Sequence, residues 1–417
     1  GEGSTGVSDA EGDTVSQRTL LGALRPHLAT PMRGRDPAEE GRASTPLELF
    51  FDLVVVVAVA LAADRLHHAL VEGVGIAALV SFLLVFVAIW LAWVNFTWFA
   101  SAYDTDDVVY RLGVLVIMTG ALVLAAGVPR IFDQRDFTLA VVGYVIMRIA
   151  LVTQWVRVAI DDPPRRATAL RYAVGVTACQ VGWLSLLVAP RLWPFAWVTL
   201  VPIELFVPAW AERAGRTTFH PEHIAERYGL FMIIVLGESV LAASLAIQGV
   251  LGGDGVTFEF VAAIVGSLLI GYAMWWIYFD RPEEHLLDSV PTAIAWSYLH
   301  LPIFAAVAAV GAGLVVAIEE ASGQSHLGRA AAGAAVAAPV AVYLLSLWAL
   351  YARVLRDRFH QLVIPVAIAL VVGAIFTPAP VLAVGLVLAG TVAVKVALHI
   401  RDEARAEASA PVESIRA

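Results

Sequence analysis

Charge is what this sequence has least of. Only 15% of its 417 residues are Asp, Glu, Lys or Arg, against about 25% in a soluble domain. A chain this long cannot coat a water-facing surface with so few charges. No cluster of basic residues is interleaved with aromatics, which argues against a nucleic-acid partner. The single cysteine, Cys179, excludes an intrachain disulfide and any multi-cysteine metal centre. A P-loop, an H-E-x-x-H helix, a G-x-S-x-G elbow and a dinucleotide-binding glycine fingerprint are all missing. The enzyme classes those motifs mark are set aside with them.

Apolar residues make up 59% of the chain, and its mean hydropathy is +0.78. A bilayer core takes about 20 apolar residues per helix. Twelve runs meet or approach that length: Pro46–Leu66, Val74–Ala102, Tyr110–Val128, Phe137–Ile160, Thr168–Val188, Pro194–Trp210, Ala225–Gln248, Phe258–Phe279, Val290–Ile318, Leu327–Tyr351, Gln361–Phe376 and Val381–His399. The sixth and eleventh are short. Breakers such as Asp161-Asp162-Pro163-Pro164 and Thr377-Pro378-Ala379-Pro380 part the runs. The expected fold is an all-α integral membrane bundle of about twelve helices spanning residues 44–400. Polar tails flank it at 1–43 and 401–417, both expected to be disordered. The lipid bilayer is the first partner this implies.

Arginine sets the expected orientation. With the N-terminus inside, Arg111, Arg157, Arg165, Arg166, Arg171, Arg213, Arg216, Arg353, Arg356 and Arg358 all fall on the cytoplasmic side. Arg65, Arg130, Arg135, Arg191 and Arg329 fall on the other. Both termini are then cytoplasmic. Loose likenesses between the first and seventh runs, and between the second and eighth, raise a parallel repeat of two six-helix halves.

Ionisable residues inside spans are costly and usually face the bundle interior. Arg148, Glu204, Glu238 and His300 lie deep in the fourth, sixth, seventh and ninth runs. Their signs suggest that Arg148 pairs with Glu204 or Glu238. A buried structural pair and a transport or catalytic role are both open for them. His300 suits either a proton relay or a single hydrogen bond to a carbonyl. Thr45-Pro46-Leu47-Glu48 reads as a capping box, and Asp52 lies one turn further in on the same face. Pro221-Glu222-His223-Ile224-Ala225-Glu226-Arg227 opens the seventh run, with His223, Glu226 and Arg227 sharing a face. Gly237, beside Glu238, is expected to admit a neighbouring helix.

Asp104-Thr105-Asp106-Asp107 follows the second run, and Asp280-Arg281 follows the eighth. The first string reads as a solvated loop, a cation-attracting vestibule or a site for a divalent ion such as Mg²⁺. Aromatics crowd the ends of the same two runs: Trp90, Trp93, Phe96, Trp98 and Phe99, then Trp275, Trp276, Tyr278 and Phe279. An interfacial belt or a wall along a substrate path accounts for them.

Four of these segments, Pro46–Val56, Trp98–Asp107, His223–Ser239 and Trp275–Arg281, resemble the bacterial low temperature requirement A family. The resemblance covers about residues 43–400. It implies a multi-pass protein of the bacterial plasma membrane, without a settled reaction or substrate. It carries over Glu48, Asp52, Asp104, Asp106, Asp107, His223, Glu226, Arg227, Glu238, Asp280 and Arg281. The leading functional expectation is a transporter or ion-coupled carrier for an unidentified small molecule or ion. An intramembrane enzyme acting on a lipid or isoprenoid, and a sensor or scaffold for growth in the cold, are the alternatives. No cofactor is expected beyond a divalent cation.

Overall fold

A computed structural model describes residues 28–39, 41–251, 257–280, 287, 289–351 and 359–409. Arg281 lies outside them. The protein is an α-helical membrane protein, with twelve helices and no strand among the described residues. They are α1 (Pro46–Val71), α2 (Gly75–Tyr103), α3 (Val108–Gln134), α4 (Thr138–Asp161), α5 (Arg166–Val188), α6 (Trp193–Glu212), α7 (Pro221–Leu251), α8 (Phe258–Phe279), α9 (Val290–Ala321), α10 (Arg329–Tyr351), α11 (Ile364–Ala374) and α12 (Pro380–Ser409). Eleven are long and apolar enough to cross a membrane. The exception is α11. With the π-helical turn Phe359–Val363 before it, it covers 16 residues, about 24 Å at 1.5 Å per residue, short of a core of about 30 Å. Ile375 to Pro380, with its two prolines, stops it there.

The described residues fall into two compact units. The first lies within Gly1–Val55, Leu91–Gly127 and Phe137–Ile224, the second within Val56–Trp90, Val128–Asp136 and Ala225–Ala417. The boundaries cut through α1, α2, α3 and α7, so neither unit is a run of six consecutive helices. Packing rather than chain order groups the helices.

In the first unit α4 packs on α5 and α5 on α6. Small residues allow the backbones to meet. A Cβ on Gly143 of α4 would stand 2.6 Å from the backbone nitrogen of Leu124 on α3, and one on Gly175 of α5 would stand 2.7 Å from the Val207 side chain on α6. In the second unit α9 packs on α10 and α8 on α12. Four-fifths of the apolar window of α9 is buried (83%), more than in any other spanning helix described. It forms the centre of that unit. Gly385 of α12 lies against Gly266 of α8, where a Cβ would stand 2.8 Å from the Gly266 carbonyl oxygen.

Helix α1 shows how lipid sorts side chains. Phe50, Leu53 and Val57 are exposed, three or four residues apart, while Glu48, Phe51, Asp52 and Val55 are buried. Polar groups turn inward and apolar ones outward, because hydrocarbon offers them no hydrogen bonds. The aromatics divide in the same way. Trp90, Trp93, Phe96 and Phe99 are buried inside the bundle, so α2 carries no belt there. Trp275 and Trp276 are exposed, as interfacial aromatics are.

Residues 28–45, assigned above almost entirely to a disordered tail, run as a strap on the first unit. Met32 is fully buried. Its backbone N–H donates to Asp161 (2.9 Å), that of Thr30 to Asp107 (2.8 Å) and that of Arg35 to the Ala102 carbonyl (3.0 Å). Polarity marked this stretch as a tail. Asp107 at the start of α3, Asp161 at the end of α4 and a carbonyl at the end of α2 supply the acceptors that hold it. At the other end α12 continues to Ser409, past the expected limit at 400.

Candidate functional site

The first unit gathers most of the polar residues singled out above. The expected capping box closes α1: Thr45 N–H donates to Glu48 Oε2 (2.8 Å) and Glu48 N–H to Thr45 Oγ1 (3.3 Å). The same Glu48 oxygen lies 3.3 Å from Nε2 of His223, at the start of α7. Both side chains are fully buried. A carboxylate only accepts, so Nε2 of His223 carries the hydrogen. Its Nδ1 has no hydrogen-bond partner among the described residues. His220 lies one turn earlier. Its Nδ1 accepts from the His223 backbone N–H (3.3 Å), which leaves Nε2 to donate to the Glu39 carbonyl (2.8 Å). Deeper in α1, Asp52 accepts from the Trp93 indole N–H at 2.7 Å. Arg42 is buried beside this group and donates to the Ala100 carbonyl at 3.1 Å and to that of Ser101.

The three loop acids turn to different partners. Asp104 is buried, accepts from Asp106 N–H (3.1 Å) and lies 3.9 Å from Arg35. Burial pushes its carboxyl up to about 6 and the charge of Glu48 adds to that, so the nearby guanidinium does not win. Asp106 takes a positive φ and pairs outward with Arg111 at 2.7 Å. That hydrogen bond holds its carboxyl below the usual range. Asp107 caps α3 by accepting from Tyr110 N–H (2.8 Å), and pairs with Arg157 of α4. Burial raises its pKa, but hydrogen bonds from Arg157, Tyr110 and Thr30 together outweigh that and lower it.

Arg148 pairs with Glu204, one of its two expected partners, and the other Glu204 oxygen accepts from the Trp183 indole at 3.2 Å. The guanidinium also sits over the Tyr144 ring, 5.1 Å from its centroid. The pair is buried and enclosed, which suits a link fixing α4, α5 and α6.

The second unit holds a different arrangement. A cavity of about 290 Å³ is lined by Glu238 and Ser239 of α7, Asp64 and His67 of α1, and Gly311 and Glu319 of α9, among others. Of the residues singled out from sequence, Glu238 alone lines it. Gly237 faces outward with nothing near its Cβ position. The close approach comes instead at Gly311, where a Cβ would stand 2.7 Å from Ser239 Oγ. Nε2 of His67 lies 2.9 Å from Glu319 Oε2. Asp64, His67 and Glu319 are not among the residues singled out from sequence; the i, i+3 spacing of the first two is local, but Glu319 lies 252 positions from His67.

His300 is fully buried. Its Nδ1 lies 2.9 Å from the Trp296 carbonyl, and the rings of Trp296, Tyr228, Phe304 and Tyr278 surround it at 4.1, 5.0, 5.5 and 5.8 Å. The hydrogen bond to a carbonyl is one of the two roles expected of it. Arg227 is fully buried and Glu226 exposed, although both follow His223 on one helix. Asp280 pairs with Lys395 of α12 at 2.7 Å.

Residues 43–398 match the model of the bacterial low temperature requirement A protein family. This chain belongs to that family. It is also similar to an uncharacterized protein of Rhizobium meliloti (strain 1021), 28% identical over 287 residues, covering 64% of this chain and 68% of that protein. The family segment begins just before the α1 capping box and ends within α12. It therefore includes the Glu48–His223 pair, the loop acids and the cavity around Glu238.

Proposed function

We propose that this low temperature requirement A protein is an ion-coupled carrier in the bacterial plasma membrane, with Glu238 as its coupling carboxylate. One observation carries this reading. Glu238 lies about ten residues into the apolar part of α7, ~15 Å deep, yet it opens on a cavity shared with Asp64, His67 and Glu319. A carboxylate kept at that depth beside polar space can exchange a proton or cation between water and the bundle. A residue serving packing alone would be enclosed by its partners, as Glu204 is.

The arginines that flank the first ten runs favour an N-terminus on the cytoplasmic side. Asp64 and Glu319 lie near the C-terminal ends of α1 and α9, so the cavity then opens outward. An intramembrane enzyme on a lipid or isoprenoid, with a divalent ion on Asp104, Asp106 and Asp107, receives less support, because those carboxylates turn to separate cations.

The test is charge movement on a solid-supported membrane carrying the reconstituted protein. Small cations, amines and organic acids are applied across a pH gradient. A current to at least one of them, lost in Glu238→Gln and kept in the Arg148→Leu/Glu204→Leu double variant, is expected. Currents equal in wild type and Glu238→Gln would count against the proposal.

A further inference from the structure

The cavity mouth carries chemistry that a proton-coupled carboxylate does not require. Helix α1 nears its end with Asp64-Arg65-Leu66-His67-His68. Positions i, i+3 and i+4 share a helix face, so the carboxylate and both imidazoles project together. One ligand atom from each of Asp64, His67 and His68 can be chosen so that all three lie within 4.8 Å of one another. Around a tetrahedral ion with bonds of about 2.0–2.2 Å, ligand atoms stand ~3.4 Å apart. Nδ1 of His68 is 3.5 Å from Asp64 Oδ1, and Nε2 of His67 is 2.9 Å from Glu319 Oε2. Closing them on one ion takes side-chain rotation, including release of the bond that His68 Nδ1 donates to the Asp64 carbonyl (2.9 Å).

Two further features fit. Glu319 comes from α9, so a fourth donor is supplied by a second helix. Arg65, the one cation within the motif, is turned to Asp133 at 3.3 Å, which leaves the negative charge of Asp64 available. His67 lines the cavity while His68 is largely exposed, so an ion arriving from water has a route in.

We propose that Asp64, His67 and His68, with Glu319 as fourth donor, form a site for a divalent transition-metal ion of the Zn²⁺ type at the cavity mouth. Two imidazoles with carboxylates suit Zn²⁺, Co²⁺ or Ni²⁺; Mg²⁺ and Ca²⁺ take oxygen donors. The site does not depend on flux, since metal binding is read in detergent, where no transport occurs.

The test titrates the purified full-length chain, with any affinity tag removed, with Zn²⁺ by calorimetry and with Co²⁺ by visible absorption. One equivalent of Zn²⁺ binds, and Co²⁺ gives tetrahedral absorption bands that Zn²⁺ bleaches. His68→Ala, at an exposed position that leaves packing intact, weakens binding roughly tenfold or more, as do Asp64→Asn and His67→Ala. Millimolar Mg²⁺ or Ca²⁺ does not displace the metal. Absence of binding to wild type overturns the proposal. So does affinity unchanged in the His67→Ala/His68→Ala variant, which would put the ion on other groups. Equal displacement by Ca²⁺ overturns it too, since it would reduce the site to an acidic surface.

Discussion

Nε2 of His223 and the backbone N–H of Thr45 converge on one oxygen, Oε2 of Glu48, at 3.3 and 2.8 Å. A single atom thus closes the cap of α1 and fastens the first turn of α7. His223→Ala is expected to lower stability by about 1.5–3 kcal/mol, the range for a hydrogen bond to a charged group. Glu48→Ala should cost about 1 kcal/mol more, since the cap goes with it. The double variant should fall short of the sum by about 1–2 kcal/mol. Unfolding titrations in one detergent measure all three, and strict additivity would mean that the pair is not coupled.

Asp104 gives the protein a pH dependence of definite sign. Its carboxyl ionises at about 6 in the folded chain and near 3.8 without the fold. Between those values the native state binds the extra proton, so this residue's contribution to stability falls as pH rises from about 4 to 6. Asp104→Asn should remove that slope and raise the melting temperature at pH 7, with little change near pH 4. Asp107 acts the other way. Its lowered pKa supplies stability above pH 4 that is lost on further acidification, so Asp107→Asn should lower the melting temperature at pH 7.

The Arg148–Glu204 pair should behave as a packing element. Either partner replaced alone by leucine leaves a buried charge and costs about 3–5 kcal/mol. Replacing both should recover most of that loss, and a current dependent on Glu238 should persist. A double variant that is stable but electrically silent would instead put this pair on the ion path.

Gly311 marks where α9 leaves room for Ser239. Because a Cβ there would stand 2.7 Å from the Ser239 hydroxyl oxygen, Gly311→Leu must push α7 aside or fill the cavity. A loss of about 1–3 kcal/mol is expected from the overpacking, together with a reduced current. Thermal unfolding and the electrical assay read the two effects separately.

The succession of helices was legible because one quantity, apolar run length, decides it. Only the short eleventh run falls below a full crossing. The capping box was legible too, since Thr45, Pro46 and Glu48 are neighbours in sequence. Signs limited the partner of Arg148 to two residues, but only packing selects Glu204 over Glu238. His67 and Glu319 are 252 positions apart, and no local pattern announces their meeting. Gly237 misled for a related reason. A small residue licenses a close approach without saying which side of the helix receives it, and here the approach falls at Ser239 and Gly311. The strap within 28–45 was hidden because backbone N–H groups do much of the binding, and these leave no mark on composition.

That strap has a consequence for how the protein is made. Met32 and Gly34 donate to Asp161 and Asp162, residues translated some 130 positions later. The stretch that leaves the ribosome early cannot settle until four helices have been threaded into the bilayer and the turn after the fourth exists. Its docking reports that this part of the insertion is complete.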